Sequence, residues 1–280
     1  MHALPPITRY SLPIASSMLS VVEAGQGPAV LLGHGYLWNW RMWEPQVAAL
    51  ARRYRVIIPE LWGHGASGPL PRGTAALPHI AEQMIEVLDA LDVERCVVAG
   101  SSVGGMWGAH LAATVPHRVA GLAILNSYLG AEPIERSHAY GTMLDAVHAA
   151  GRVPETIADA IVPLFFAPDI AETAPELPAR LRTVIQSYSS EAIRTSIVPL
   201  GRAIFGRSDR RDLLGAIRAP MLLVGGVRDQ ARPISETREM AAQLDLTPVE
   251  IDSGHTASLE QPLAVTSVLA TFLETVSGRR

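Results

Sequence analysis

The chain contains no lysine; its 23 basic residues are all arginine. That excludes Schiff-base chemistry on a lysine amine. A single cysteine, Cys96, rules out an internal disulfide and fits a reducing compartment. Cys96 sits in the apolar run Cys96-Val97-Val98-Ala99, the setting of a core residue rather than a reactive thiol. One cysteine also excludes thiolate zinc sites. No His-x-x-x-His pair flanks a glutamate and Gly100–Gly105 has no G-x-G-x-x-G pattern, so neither a metal nor a nucleotide cofactor is expected. No run approaches the roughly 20 apolar residues of a membrane span. The start, Met1-His2-Ala3-Leu4-Pro5-Pro6, has no charged region followed by an apolar stretch. Charged residues make up only 18% of the chain and the net charge is −4. Three basic clusters occur, Arg52–Arg53–Arg55, Arg207–Arg210–Arg211 and Arg279–Arg280. They read as solvated loops and a frayed tail, with Asp209 and Asp212 interrupting the central one. A nucleic-acid face would need a basic stripe on a recognisable fold, and neither is present. The expectation is a soluble cytoplasmic protein without nucleic-acid or membrane partners, a homodimer being left open.

What is present is core. With 280 residues and 48% of them hydrophobic, one or two domains can be buried well. Short apolar runs alternate with longer periodic ones, as strand–helix–strand units do. The strands expected are Ile7–Ile14, Met18–Glu23, Ala29–Leu32, Arg55–Pro59, Arg95–Ala99, Leu122–Asn126, Met221–Val224 and Pro248–Asp252. Several are near-continuous hydrophobic runs, the mark of parallel strands covered on both faces. The fold class is therefore α/β: a mostly parallel, eight-stranded twisted sheet with helices on both faces. The clearest helix is Ile80–Leu91, where Ile80, Met84, Val87, Leu88 and Leu91 make one apolar face. From about Gly130 to Leu213 no good strand occurs. Ile157, Ile161, Leu164 and Phe165 form one helical face there, and Ile193, Ile197, Leu200 and Ile204 another; Pro163 and Pro199 should kink or shorten those helices. The segment 131–213 reads as a helical cap inserted into a core made of 1–130 and 214–280. Its Phe165 and Phe166 are expected to help choose the substrate.

The strongest chemical signal is Gly100-Ser101-Ser102-Val103-Gly104, directly after the strand Arg95–Ala99 and before the helical Gly105–Val115. This is G-x-S-x-G in a strand–turn–helix setting. So tight a turn needs tiny residues two positions either side of the nucleophile. Ser102 has Gly100 and Gly104 there, whereas Ser101 would have Ala99 and Val103. Ser102 is the candidate nucleophile. A serine hydroxyl needs a base to take its proton and a carboxylate to orient that base, in the chain order Ser, acid, His. Of nine histidines, His255 alone follows the last expected strand. His34 and His64 precede Ser102, and His2, His79, His110, His117, His138 and His148 lack a strand-end context. For the acid, Asp229 follows the strand Met221–Val224 through Gly225-Gly226-Val227-Arg228 and is preferred to Asp252, which should order the His255 loop.

Taken together, Gly33-His34-Gly35-Tyr36, Trp62-Gly63-His64-Gly65-Ala66-Ser67-Gly68, Gly100–Gly104, Gly225–Asp229 and Ser253-Gly254-His255 resemble the α/β-hydrolase superfamily from end to end. Met42-Trp43-Glu44-Pro45-Gln46, Tyr54-Arg55-Val56-Ile57 and Gly104-Gly105-Met106-Trp107-Gly108 are similar to the branch of 3-oxoadipate enol-lactonases and small esterases. Two positions depart from that branch: Glu60 stands where Asp is usual, and Ser101 where His or Leu is common. The resemblance implies an oxyanion hole built from the backbone N–H groups of Tyr36 and Val103, each such donor contributing about 3–4 kcal/mol to the transition state. It also brings Tyr36 and Trp38 forward as pocket-lining residues, with Trp40 nearby.

The chemistry expected is cofactor-free hydrolysis of a small carboxylic ester or lactone through an acyl-serine. Carbon–carbon cleavage of a β-diketone-like substrate, acyl transfer or perhydrolysis would use the same residues and stay open. A non-catalytic ligand receptor is disfavoured by the intact triad pattern, and a dehalogenase by a serine where aspartate would stand.

Overall fold

A computed structural model describes residues 4–278. Arg279 and Arg280 of the third basic cluster, and Met1, His2 and Ala3, lie outside the described residues. The chain begins with a hairpin: β1 (Ile7–Ile14) and β2 (Ser17–Ala24) pair antiparallel through a two-residue turn, with Ala15 at φ 50°. Then follow β3 (Ala29–Gly33), β4 (Arg55–Pro59), β5 (Cys96–Ser101), β6 (Val119–Leu125), β7 (Met221–Gly226) and β8 (Val249–Ile251). The sheet order is β1-β2-β4-β3-β5-β6-β7-β8; β2 meets β4 antiparallel, and every later pairing is parallel. The sequence-based fold class is what is observed.

All six residues of β5 are buried, which requires cover on both faces of the sheet. The cover can be located residue by residue. A Cβ placed on Gly108, in the helix Val103–Thr114, would touch Val98 and Leu122. One placed on Gly121, next to Leu122 and so facing the other way, would meet Phe272 and Val276 of the helix Pro262–Ser277. One layer therefore holds Val103–Thr114 with the helix Leu77–Ala90, the other Pro262–Ser277 with Glu44–Leu50. Leu77–Ala90 buries Ile80, Met84, Val87 and Leu88 at helical spacing, each contributing about 1.5–3 kcal/mol. It starts earlier than the apolar stripe alone suggests because Pro78 fits the first turn, whose N–H needs no partner.

Between β6 and β7 the described residues form helices and no strand. Pro163 acts as expected: the helix Glu155–Ile161 stops before it and a 3₁₀ turn, Val162–Phe165, carries the proline in its first turn. At Pro199 the chain keeps winding, but a π-helical turn, Ile193–Ile197, precedes the helix Val198–Phe205. β6 ends one residue sooner than the sequence suggests, because Asn126 turns left-handed at φ 46°.

Candidate active site

Every parallel strand delivers its C-terminal end to one edge of the sheet, and the candidate residues gather there. β5 runs into Ser102, which sits at φ 54°, ψ −122°, before the helix Val103–Thr114 starts. A non-glycine residue held there costs about 1–3 kcal/mol, which the surrounding structure must offset. A Cβ on Gly100 would lie 2.1 Å from Gly104 backbone, and one on Gly104 would lie 2.3 Å from the Gly33 carbonyl oxygen. No side chain fits either gap. The turn is pinned by Ser102 N donating to Leu125 O (2.9 Å) and Ser127 Oγ donating to Ser102 O (2.7 Å). Ser102 lines a cavity; Ser101 ends β5 as a buried residue and does not line it.

His255 lines the same cavity. Its Nδ1 lies 2.8 Å from Asp229 Oδ2, so Nδ1–H donates to the carboxylate and Nε2 keeps its lone pair. Asp229 is buried and receives three more donors: Asn126 Nδ2 on Oδ2 (3.0 Å), and Ala231 N (2.9 Å) and Arg232 N (2.8 Å) on Oδ1. Asp252 is exposed and pairs with Arg228 Nε at 2.8 Å. The Asp252 carboxylate therefore faces a surface guanidinium rather than His255. Glu260 braces the histidine loop, accepting from Gly254 N (3.0 Å), Thr256 N (3.2 Å) and Ala167 N (2.9 Å). Thr256 in turn donates to Phe165 O through N (3.0 Å) and Oγ1 (2.8 Å), tying the loop to the helical insert. The Phe165 ring meets the imidazole edge-on at 5.8 Å.

The loop after β3 passes over the nucleophile: a Cβ on Gly35 would lie 3.5 Å from Ser102 Cβ. Gly35 N donates to Met42 Sδ (3.2 Å) and Leu37 N to His64 Nε2 (3.0 Å). Tyr36 N, between them, has no acceptor among the described residues. Val103 opens its helix, so its N–H has no partner within the helix either. Both residues are buried, Tyr36 in the loop over Ser102 and Val103 next to it in the chain. The Tyr36 hydroxyl points the other way and donates to Ile197 O at 2.7 Å; burial holds it well above the ordinary phenol range.

Two histidines without a role in the sequence reading hold this loop. His64 Nε2 accepts from Leu37 N and its Nδ1 donates to Trp62 O (2.9 Å); His34 Nε2 accepts from Leu61 N (2.9 Å) and its Nδ1 donates to Gly35 O (2.8 Å). Both rings must be neutral to accept there. Burial lowers both, His64 to about 3, with the neighbouring His34 adding to the effect. Glu60 reaches the same region, accepting from Ala66 N (3.0 Å) and Arg9 Nη1 (2.5 Å); Gly65 leaves room for the extra methylene. Nothing in one sequence marks Asn126, His34 or His64 as supports, because their partners lie in distant segments.

The cavity encloses about 920 Å³ of empty space, its open mouth included. Its wall is largely aliphatic, with Ile157, Ile161, Leu164 and Phe165 from the insert. Tyr36 lines it. Trp38 does not: contrary to the expectation, it is fully buried with its ring edge-on to Phe166, 6.3 Å away, and Phe166 likewise stays off the wall. The π-surface of Trp38 thus packs the core beneath the loop. A second correction concerns the central basic cluster. Arg210 and Arg211 pair with Asp212 and Asp209 at the surface, but Arg207 is buried against Glu132 (3.0 Å) and lines the cavity. Cys96 is buried in β5, its thiol pushed up to about 12 by desolvation.

Comparison with known proteins follows the same lines. The family model described as "alpha/beta hydrolase fold" matches residues 28–262. The chain is 26% identical over 238 residues to 3-oxoadipate enol-lactonase 2 of Acinetobacter baylyi, covering 85% of each. Among solved structures, the enol-lactonase from Burkholderia xenovorans LB400 superposes with a TM-score of 0.85 at 26% identity, covering 95% of this chain and 100% of that one. A thermophilic esterase from Thermogutta terrifontis superposes with a TM-score of 0.86 at 27% identity, covering 96% and 99%. No described helix is long and apolar enough to cross a membrane.

Proposed function

The chain belongs to the alpha/beta hydrolase fold family, and from that premise we propose that it is a serine hydrolase of small carboxylic esters or lactones, acting through an acyl-serine without a cofactor. The observation that carries this reading is that Ser102, on its strained turn, and His255, hydrogen-bonded to Asp229, line the same cavity. The lactonase and esterase among the relatives support the choice of bond.

Ser102 Oγ attacks the carbonyl carbon while His255 Nε2 takes its proton. The imidazolium so formed is stabilised by Asp229, whose four donors hold the carboxylate in place. The carbonyl oxygen becomes an oxyanion held by the N–H groups of Tyr36 and Val103. The carbon–oxygen bond then breaks, and the leaving alkoxide takes the proton from His255. Water repeats the sequence on the acyl-serine, with His255 as base, and releases the carboxylic acid and free Ser102. In a lactone the leaving alkoxide stays attached to the acyl group, so one hydroxy acid is the product.

The insert of residues 131–213 acts in this proposal as a cap that shapes the acyl pocket and excludes water, since Ile157, Ile161, Leu164 and Phe165 all face the reacting atoms' cavity. The test is turnover of p-nitrophenyl esters and small lactones by purified protein. Hydrolysis by wild type and its loss in Ser102→Ala are expected; a Ser102→Ala protein of undiminished rate contradicts the proposal.

A further inference from the structure

The loop that passes over Ser102 is held from two sides. On the core side, the peptide group that carries Tyr36 N has its carbonyl, Gly35 O, fixed by His34 Nδ1 (2.8 Å) and Trp38 N (3.2 Å). The peptide groups before and after it are fixed by Gly35 N donating to Met42 Sδ and Leu37 N to His64 Nε2. On the other side stands the insert, and the Tyr36 side chain reaches it. Its hydroxyl donates to Ile197 O at 2.7 Å, across 161 positions of sequence. Among the described residues this is the one hydrogen bond that joins 34–38 to the insert.

The insert is built to receive that hydroxyl. Ile197 closes the π-helical turn Ile193–Ile197, a rare winding found mostly where function keeps it. Ser196 of the same turn accepts from Leu70 N at 2.9 Å, so the turn is itself seated on the core. Gly201 lies four residues beyond Ile197, inside the helix Val198–Phe205, where glycine is an unfavourable choice. Its reason is room: a Cβ there would lie 2.6 Å from Tyr36 Oη and 2.9 Å from Leu144 Cδ2. The Tyr36 ring is flanked by His64 at 5.6 Å and, edge-on, by Phe205 at 5.9 Å, which leaves it little freedom to pivot. Ile197 and Phe205 also line the reaction cavity.

We propose that the Tyr36 side chain is a positioning group: its hydroxyl, seated on Ile197 O in the space left by Gly201, ties the insert to the backbone N–H that meets the oxyanion. This rests on the serine-hydrolase reading, in which Tyr36 N is one of the two oxyanion donors. The hydroxyl donates to a main-chain carbonyl and moves no proton in the reaction. Its part is to hold the donor at a fixed angle, so the insert helps to set the rate as well as the shape of the pocket.

Tyr36→Phe keeps the ring and the backbone donor and removes only the hydroxyl. For p-nitrophenyl esters kcat should fall about three- to tenfold, the range of one neutral hydrogen bond, with KM within about twofold. Outright loss of an oxyanion donor would cost about 10²–10³. A trifluoromethyl ketone, whose adduct with Ser102 carries the oxyanion, should bind more weakly by the same factor as the fall in kcat/KM. Gly201→Ala should reproduce both effects by pushing the hydroxyl off its seat, and should cost little once Tyr36→Phe has removed that hydroxyl, since the end of the Leu144 side chain can shift. Circular dichroism and Tm show that each variant folds; if Tyr36→Phe does not, Gly201→Ala carries the test through kcat and ketone inhibition. A kcat within about twofold of wild type in folded Tyr36→Phe, ketone inhibition that holds while kcat falls, or an equal cost of Gly201→Ala in both backgrounds overturns the positioning role and leaves the esterase reading standing. If wild type turns over neither esters nor lactones, the serine-hydrolase reading fails and the positioning role falls with it.

Discussion

Asn126→Gly is the perturbation that most sharply separates the supports of the acid from the acid itself. Asn126 Nδ2 donates to Asp229 Oδ2 at 3.0 Å, the oxygen that also takes His255 Nδ1–H, and to Gly254 O at 3.1 Å. One amide therefore ties the acid to the loop that carries the base. Glycine is the right replacement because the backbone there is left-handed at φ 46°, so the change removes the amide without straining the chain. A hydrogen bond to a charged acceptor is worth about 1.5–3 kcal/mol, or about ten- to hundredfold in rate if it is felt at the transition state. Three donors remain on Asp229, so the loss should appear in kcat with KM little changed. The steady-state constants should be measured for a p-nitrophenyl ester in wild type, Asn126→Gly, Asp229→Asn and the double variant. Once the carboxylate is gone, adding Asn126→Gly should cost far less than it does alone. A kcat within about twofold of wild type in the single variant, or full additivity in the double, would refute the reasoning.

Asp229→Asn should depress kcat by up to about 10⁴, because it fixes the wrong imidazole tautomer, whereas Asp252→Asn, which frees only Arg228 at the surface, should leave it within about threefold; steady-state kinetics decide. Ile157→Ala enlarges the aliphatic wall and should shift relative kcat/KM toward longer p-nitrophenyl acyl chains by about tenfold or more; an unchanged chain-length profile would leave the insert with no part in selection. Burial holds His34 and His64 below their unfolded value of about 6.5, so in acid the unfolded chain takes up protons first. Stability should be complete above about pH 6.5 and fall below it, His64 contributing a slope of about 1.4 kcal/mol per pH unit as pH drops toward 3 and His34 adding to the fall in the same direction. His64→Gln should flatten the fall of Tm between pH 6.5 and 5; an unaltered slope would count against a neutral buried His64.

The sheet was legible in the sequence because its inner strands are hydrophobic on both faces, as in Val97-Val98-Ala99 and Val30-Leu31-Leu32, a pattern that survives without knowledge of neighbours. The turn at Ser102 was legible for a related reason: gaps of 2.1 and 2.3 Å leave room for glycine alone at Gly100 and Gly104, so the backbone's needs are written into residue identity. What was hidden depends on long-range pairing. Arg207 reads as one more solvated arginine beside Asp209, and only its approach to Glu132, 75 positions away, buries it. Trp38 reads as a pocket aromatic because it follows the loop's Tyr36, yet the chain turns it inward onto Phe166. The end of β5 moved two residues on, to Ser101, because its ladder with β6 runs past the apolar stretch, and the end of β6 moved one residue back because Asn126 turns left-handed.

The most direct test of the central proposal is to treat the protein with a fluorophosphonate and map the adduct by mass spectrometry of its peptides. The peptide containing Gly100–Gly104 should carry a single adduct on Ser102, formed with a rate that falls sharply in His255→Ala and in Asp229→Asn, and absent in Ser102→Ala. An adduct on Ser101 or elsewhere, or labelling of Ser102 at an undiminished rate when His255 is removed, would contradict it.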